Sequence, residues 1–146
     1  MTKYILNTDG GARGNPGPAG AGAVLADEQG NKLAEANKPL GVMPNNEAEY
    51  HALLLGLDLA KKTLGKEKVK NLAIEARLDS ELVVRQLSGQ YQIKEERLQK
   101  LFMQIWNARV ETFKQLTFTH IPREQNRRAD GLANQAMDEG SKKSLF

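Results

Sequence analysis

Four carboxylates in this 146-residue chain stand at junctions between elements rather than on outer helix faces. Asp9 ends the first strand-like segment, and Glu49 falls in the first turn of a long helix. Asp79 joins the fourth strand to its helix, and Asp130 falls in the first turn of the final helix. Like charges brought together drive one another's pKa upward unless a cation neutralises them. Two divalent ions about 4 Å apart would do so, and would suit an in-line phosphoryl displacement with one ion on each reacting oxygen. With no cysteine and only His51 and His120, the chain has no thiolate site, no disulfide scaffold and no histidine-rich zinc site. Any metal must be hard and oxygen-ligated: magnesium, manganese or calcium. Taken singly, each acid also has a plainer reading. Glu49 and Asp130 suit the positive end of a helix, and Asp79 could cap one.

Convergence depends on the elements that carry these acids. Residues 3–8 read as a strand ending at Asp9, followed by a stretch from 10 to 22 with six glycines plus Pro16 and Pro18, which predicts tight turns. Residues 21–26 and 32–37 flank a hairpin loop in which Gly30 can take positive φ. Residues 39–44 read as a loop. A helix then opens with Asn45 as its N-cap and carries Tyr50, Leu53, Leu54, Leu57, Ala60 and Leu64 at helical spacing, with Gly65 as the stop. A strand over 69–78 leads through Asp79 and Ser80 into a helix to Leu87, ended by Gly89. A helix over 94–113, a strand over 116–120 and a helix after Asn126 complete the order βββ-α-β-α-α-β-α. That order predicts an α/β fold: a mixed five-stranded sheet, its first three strands antiparallel, with helices on both faces. Ligands of such sheets sit at the carboxyl ends of the parallel strands. If strands one and four are neighbours, Asp9 and Asp79 emerge side by side.

Length and composition (40% apolar, 27% charged) fit one domain over 1–146, with residues from about 140 expected to form a flexible tail. No apolar run approaches the roughly 20 residues needed to span a bilayer, and the N-terminus enters a strand directly, so a cytoplasmic protein without membrane contact is expected. A net charge of +3 permits binding to a polyanion without demanding it.

The motifs themselves carry a resemblance. Asp9-Gly10-Gly11-Ala12-Arg13-Gly14-Asn15-Pro16-Gly17-Pro18-Ala19-Gly20 resembles the opening loop of type 1 ribonuclease H. Asn45-Asn46-Glu47-Ala48-Glu49 is similar to that family's Asn-Asn-x-x-Glu helix start, Leu78-Asp79-Ser80 to its Asp-Ser segment, and the run from His120 to Asp130 to its closing segment. The resemblance implies the ribonuclease H-like fold and cleavage of the RNA strand of RNA–DNA hybrids, leaving 5′-phosphate and 3′-hydroxyl ends. It makes Asp9, Glu49, Asp79 and Asp130 metal-binding acids for Mg²⁺, with Mn²⁺ a substitute, and His120 an aid to proton transfer or product release. Gly10, Asn15, Asn45, Asn46, Ser80, Arg123 and Asn126 match substrate-binding positions, and a monomer is expected.

Three departures stand out. Pro44 occupies the place of a Thr that contributes to a DNA-strand phosphate pocket. Glu81 stands where many members have Gln, and residues 88–97 lack the Trp- and Lys-rich basic handle. Hybrid binding would then lean on Arg13, Lys94, Arg97, Arg123, Arg127 and Arg128, with the salt sensitivity that phosphate contacts bring. Other readings are a hybrid-binding module without turnover and a nuclease domain once joined to a reverse transcriptase. Phe102 and Trp106 are expected in the core.

Overall fold

The computed structural model describes residues 3–144. Three antiparallel strands come first, β1 (Lys3–Ala12), β2 (Gly17–Asp27) and β3 (Lys32–Met43). They are followed by α1 (Asn45–Leu64), a single helical turn α2 (Lys66–Val69), β4 (Ala73–Leu78), α3 (Glu81–Leu87), α4 (Glu96–Glu111), β5 (Gln115–His120) and α5 (Arg127–Ser144). The strands lie in the order β3-β2-β1-β4-β5, with β4 parallel to both β1 and β5. The expected mixed sheet is therefore present, and β1 and β4 are neighbours.

Side-chain alternation along β1 divides the two faces. Leu6, with Ala23, Leu25, Ile74, Ala76 and Leu78, packs against Tyr50, Leu53 and Leu57 of α1 and against apolar residues of α3 and α4. The opposite face receives α5 through Ala129, Leu132, Ala133, Ala136 and Met137, all buried. The glycines of β2 decide how closely α5 seats. A Cβ on Gly20 would lie 2.5 Å from the Ala133 carbonyl oxygen, and one on Gly22 would lie 2.3 Å from that of Ala129. These positions are small because a helix backbone occupies the space a side chain would need.

The segment over 10–22, expected to contain tight turns, turns only at 13–16, where Gly14 has φ +89°, and is otherwise strand: β1 runs on to Ala12 and β2 begins at Gly17. Segment 39–44, expected as a loop, continues β3 to Met43. Pro39 is tolerated there because β3 is an edge strand, with a bulge opposite Ala19 and Gly20 and Gly41 at φ +80°. The strand expected from residue 69 begins at Ala73, since Lys66–Val69 turns helically and buries Val69. The final helix passes the expected start of the tail and reaches Ser144; residues 145 and 146 lie outside the described residues. Among the described residues, no helix is long and apolar enough to cross a membrane.

Phe102 and Trp106 of α4 stack at 6.4 Å; Phe102 is partly buried against the core as expected, whereas Trp106 is half exposed. The inward stripe of that helix is already supplied by Leu98, Leu101 and Ile105.

Candidate active site

Asp9 sits near the end of β1, alternating with Gly10, which points at α1. A Cβ at position 10 would lie 2.1 Å from the Ala48 carbonyl oxygen, so α1 rests on the strand backbone itself. That approach lets Glu49, one residue on, accept a hydrogen bond from the Gly10 N–H at 3.2 Å. Asp79 leaves the C-terminal end of β4, the parallel neighbour of β1, one residue before Ser80. Ser80 is the cap here: its Oγ accepts from the Val83 N–H at 3.3 Å, leaving Asp79 uncommitted to the helix. Asp9, Glu49 and Asp79 each offer a carboxylate oxygen, and these atoms lie within 4.8 Å of one another. Asp130, in the first turn of α5, lines the same cleft outside that tightest group, with Arg123 Nη2 3.8 Å from its Oδ1.

The cluster is costly as it stands. Burial, then the charge of Glu49 and its hydrogen bond, then Asp79 and Asp130, push the Asp9 carboxyl far above the usual carboxylate range. Glu49 is raised as well, chiefly by burial and with contributions from Asp79 and Asp130. Among the described residues its Oε2 is buried with no hydrogen-bond partner. A buried carboxylate oxygen without a donor is a poor structural choice and a good ligand. Hard oxygen donors at this spacing fit a divalent cation of the magnesium, manganese or calcium type.

The cleft, of about 890 Å³, is also lined by Gly10, Asn15, Asn45, Asn46, Ser80 and Arg123 among the residues expected at the substrate. The expected N-cap role of Asn45 is not observed, because Pro44 occupies the cap position. Instead Asn45 Oδ1 accepts from the Ala12 N–H at 2.8 Å, and the Asn45 N–H donates to Asn15 Oδ1 at 2.9 Å. These two bonds tie the loop after β1 to the start of α1. Asn46 Nδ2 donates to Glu95 Oε2 at 3.5 Å, while its own Oδ1 is buried and, among the described residues, unpaired.

Two expected residues lie elsewhere. Asn126 is 1% exposed and spends its amide within the protein, on Thr8, Asp79 and Asn7. His120 is exposed at the end of β5, paired in register with Leu78, and does not line the cleft. Asn7 was not singled out in the sequence, although its position two residues before Asp9 puts both on one face of β1. Leu82, Glu95, Asn134 and Met137 also line the cleft, on elements whose approach no local pattern reveals.

The cations divide as well. Arg13 pairs with Asp138, and Arg128 with Glu35, so both are engaged within the chain. Glu81 is held by Arg85 at 2.8 Å, which offsets its charge beside the cleft.

The family model described as "Reverse transcriptase-like" matches residues 7–136, which includes all four acids. A ribonuclease HI of Halobacterium salinarum is 39% identical over 131 residues, 90% of this chain and 62% of that protein. The chain belongs to the type 1 ribonuclease H family. Among ribonuclease H structures, that of LC11-RNase H1, from a compost metagenome and in complex with an RNA/DNA hybrid, superposes with a TM-score of 0.89 at 47% identity. It covers 93% of this chain and 97% of that one. The bifunctional protein Rv2228c of Mycobacterium tuberculosis is 43% identical over 137 residues, 93% of this chain but 36% of its own length. This chain thus spans about a third of that ribonuclease H relative. The absence of a basic handle is plain in the fold: α3 ends at Leu87, α4 starts at Glu96, and no helix lies between.

Proposed function

We propose that the chain is an endoribonuclease that hydrolyses the RNA strand of RNA–DNA hybrids with Mg²⁺, Mn²⁺ serving as a substitute. The observation that carries the reading is the meeting of Asp9, Glu49 and Asp79 around the unpartnered Glu49 Oε2. Such a group is tolerable once a divalent cation replaces the missing donor. The family likeness supports the choice of reaction, since LC11-RNase H1 is a hybrid-bound relative with the same fold.

In this reading Asp9, Glu49 and Asp79 hold the cation, with Asp130 completing the set from α5. The bound cation supplies charge neutralisation at the scissile phosphate and activation of water at neutral pH. The residues of the chain do the rest. Asn15 and Asn45, latched to each other, and Asn46 present amides that both donate and accept, as a minor groove carrying 2′-hydroxyls requires. Gly10, whose N–H holds Glu49, borders the cleft beneath the substrate, and Ser80 and Arg123 border the scissile strand. His120 acts from outside the cleft, moving in to assist proton transfer or product release. Pro44 cannot supply the hydroxyl its place in the family often carries, so the DNA strand is held by other groups at the start of α1. All four acids come from one chain, which supports a monomeric, single-domain enzyme.

The test is cleavage of an end-labelled hybrid with Mg²⁺, beside the same RNA single-stranded and the Asp79→Asn variant. Cleavage restricted to the hybrid and lost in the variant is expected. An inert parent protein, or a fully active variant, sinks the reading.

A further inference from the structure

Asn126 immediately precedes α5 with its side chain buried at 1% exposure. Both ends of its carboxamide are used. Nδ2 donates to the Thr8 carbonyl at 2.9 Å and to Asp79 Oδ2 at 3.1 Å, while Oδ1 accepts from Asn7 Nδ2 at 3.1 Å. A primary amide has two N–H donors, so neither remains for a substrate. The Asn126 carbonyl in turn accepts from the Asp130 N–H at 3.0 Å. One residue therefore touches the backbone just before Asp9, the carboxylate of Asp79, and the turn that carries Asp130.

The geometry points to Asn126 as a positioning residue that sets the carboxylates for cation binding, with Asn7 as the group that orients it. The bond to Asp79 Oδ2 fixes the carboxylate rotamer and occupies one of its oxygens. The bond to Thr8 pins the start of α5 to β1, so Asp130 and Asp9 keep their spacing. Asn7 decides which way the amide faces. With the Asn7 donor on Oδ1, Nδ2 must face Thr8 and Asp79; a flipped amide would set its oxygen against both of those acceptors. Groups that orient metal ligands typically matter by roughly 10–100-fold in metal affinity or activity when removed. A buried asparagine serving the fold alone has no need of the carboxylate.

The kinetic half of the test rests on the hybrid-cleavage reading; the cation half does not. Mg²⁺ and Mn²⁺ binding is measured by calorimetry without nucleic acid for the parent, Asn126→Ala and Asn7→Ala proteins, with circular dichroism and thermal melts confirming the fold. Asn126→Ala is expected to weaken cation affinity roughly tenfold or more and to lower kcat by a similar factor at saturating Mg²⁺, with KM for the hybrid nearly unchanged. Asn7→Ala shifts both in the same direction by less. Unchanged cation affinity in folded Asn126→Ala, or a rise in KM with kcat retained, overturns the assignment. If Asn126→Ala does not fold, Asn7→Ala decides alone, and unchanged affinity there overturns it too. A parent protein that binds the cation but cuts no hybrid removes the proposed function and leaves the calorimetric comparison standing.

Discussion

Gly10 and Glu49 meet twice: the Gly10 N–H donates to Glu49 Oε1 at 3.2 Å, and the missing Gly10 side chain is what admits the α1 backbone that carries Glu49. Delivery of the acid and its orientation thus depend on the same small residue. The cation pocket is a product of close packing as much as of charge.

Replacing Gly10 by Ala forces a Cβ into the space of the Ala48 carbonyl, 2.1 Å away. Overpacking of this kind costs typically about 1–3 kcal/mol, and here it also pushes Glu49 off the cluster. Urea denaturation should show the loss and calorimetry a weakened cation site. Gly131→Ala is the contrasting case, since a Cβ there meets nothing within 4 Å inside α5. A gain of about 0.5–1 kcal/mol is expected from helix propensity.

Asp9 carries a raised pKa in the cation-free chain, its ordinary value being 3.8. An acid raised on folding lends stability that is full below its unfolded value and is lost as pH rises toward the folded value. Asp9→Asn removes that loss. In EDTA at pH 8 the variant should therefore melt several degrees above the parent, and the gap should close near pH 4. Added Mg²⁺ should raise the parent's Tm, by about 2.7 kcal/mol of stability at a hundredfold excess over Kd, and leave the variant's much less affected. A variant that melts below the parent in EDTA at pH 8 contradicts the account of the cluster.

Glu75 shows the opposite sign. The Arg77 guanidinium, 2.8 Å away, and Lys3, 2.6 Å away, hold its carboxyl down at about 2. Its contribution is present above the ordinary value of 4.5 and fades as pH falls toward about 2. Solvent screening of the half-exposed partners limits it to about 1 kcal/mol. Thermal melts of Glu75→Gln should lie a few degrees below the parent at pH 7 and converge with it near pH 2.

His120 stands outside the cleft, so His120→Ala should slow turnover while leaving cation affinity where it was. Stopped-time assays paired with calorimetry separate the two. Loss of cation binding in this variant would mean that His120 helps build the pocket, contrary to the exposed position seen here.

Much of this protein was legible in its residues. Apolar periodicity located α1, α4 and α5, and the hairpin around Gly30 and the antiparallel pairing of the first three strands followed from short connections, whereas the adjacency of β1 and β4 came only from the fold. The four acids were identifiable because they fall at element junctions and within recognisable motifs. Over 10–22 and 39–44 the strands run further than local residue types predict. There glycine and proline signal turns locally, but the positions are in fact contacts for α1 and α5 or places on the sheet edge. The division of labour among polar residues was also hidden. Asn45, Asn46 and Asn126 share one chemistry, and only tertiary packing makes one a latch to Ala12, one a neighbour of Glu95 and one a buried clamp on Asp79. Residue type and spacing determine which groups are available and which elements carry them, because those depend on short-range sterics and periodicity. How near two carboxylates stand, and which oxygen is left without a donor, depends on where separate elements touch, and that is decided only when the chain closes on itself.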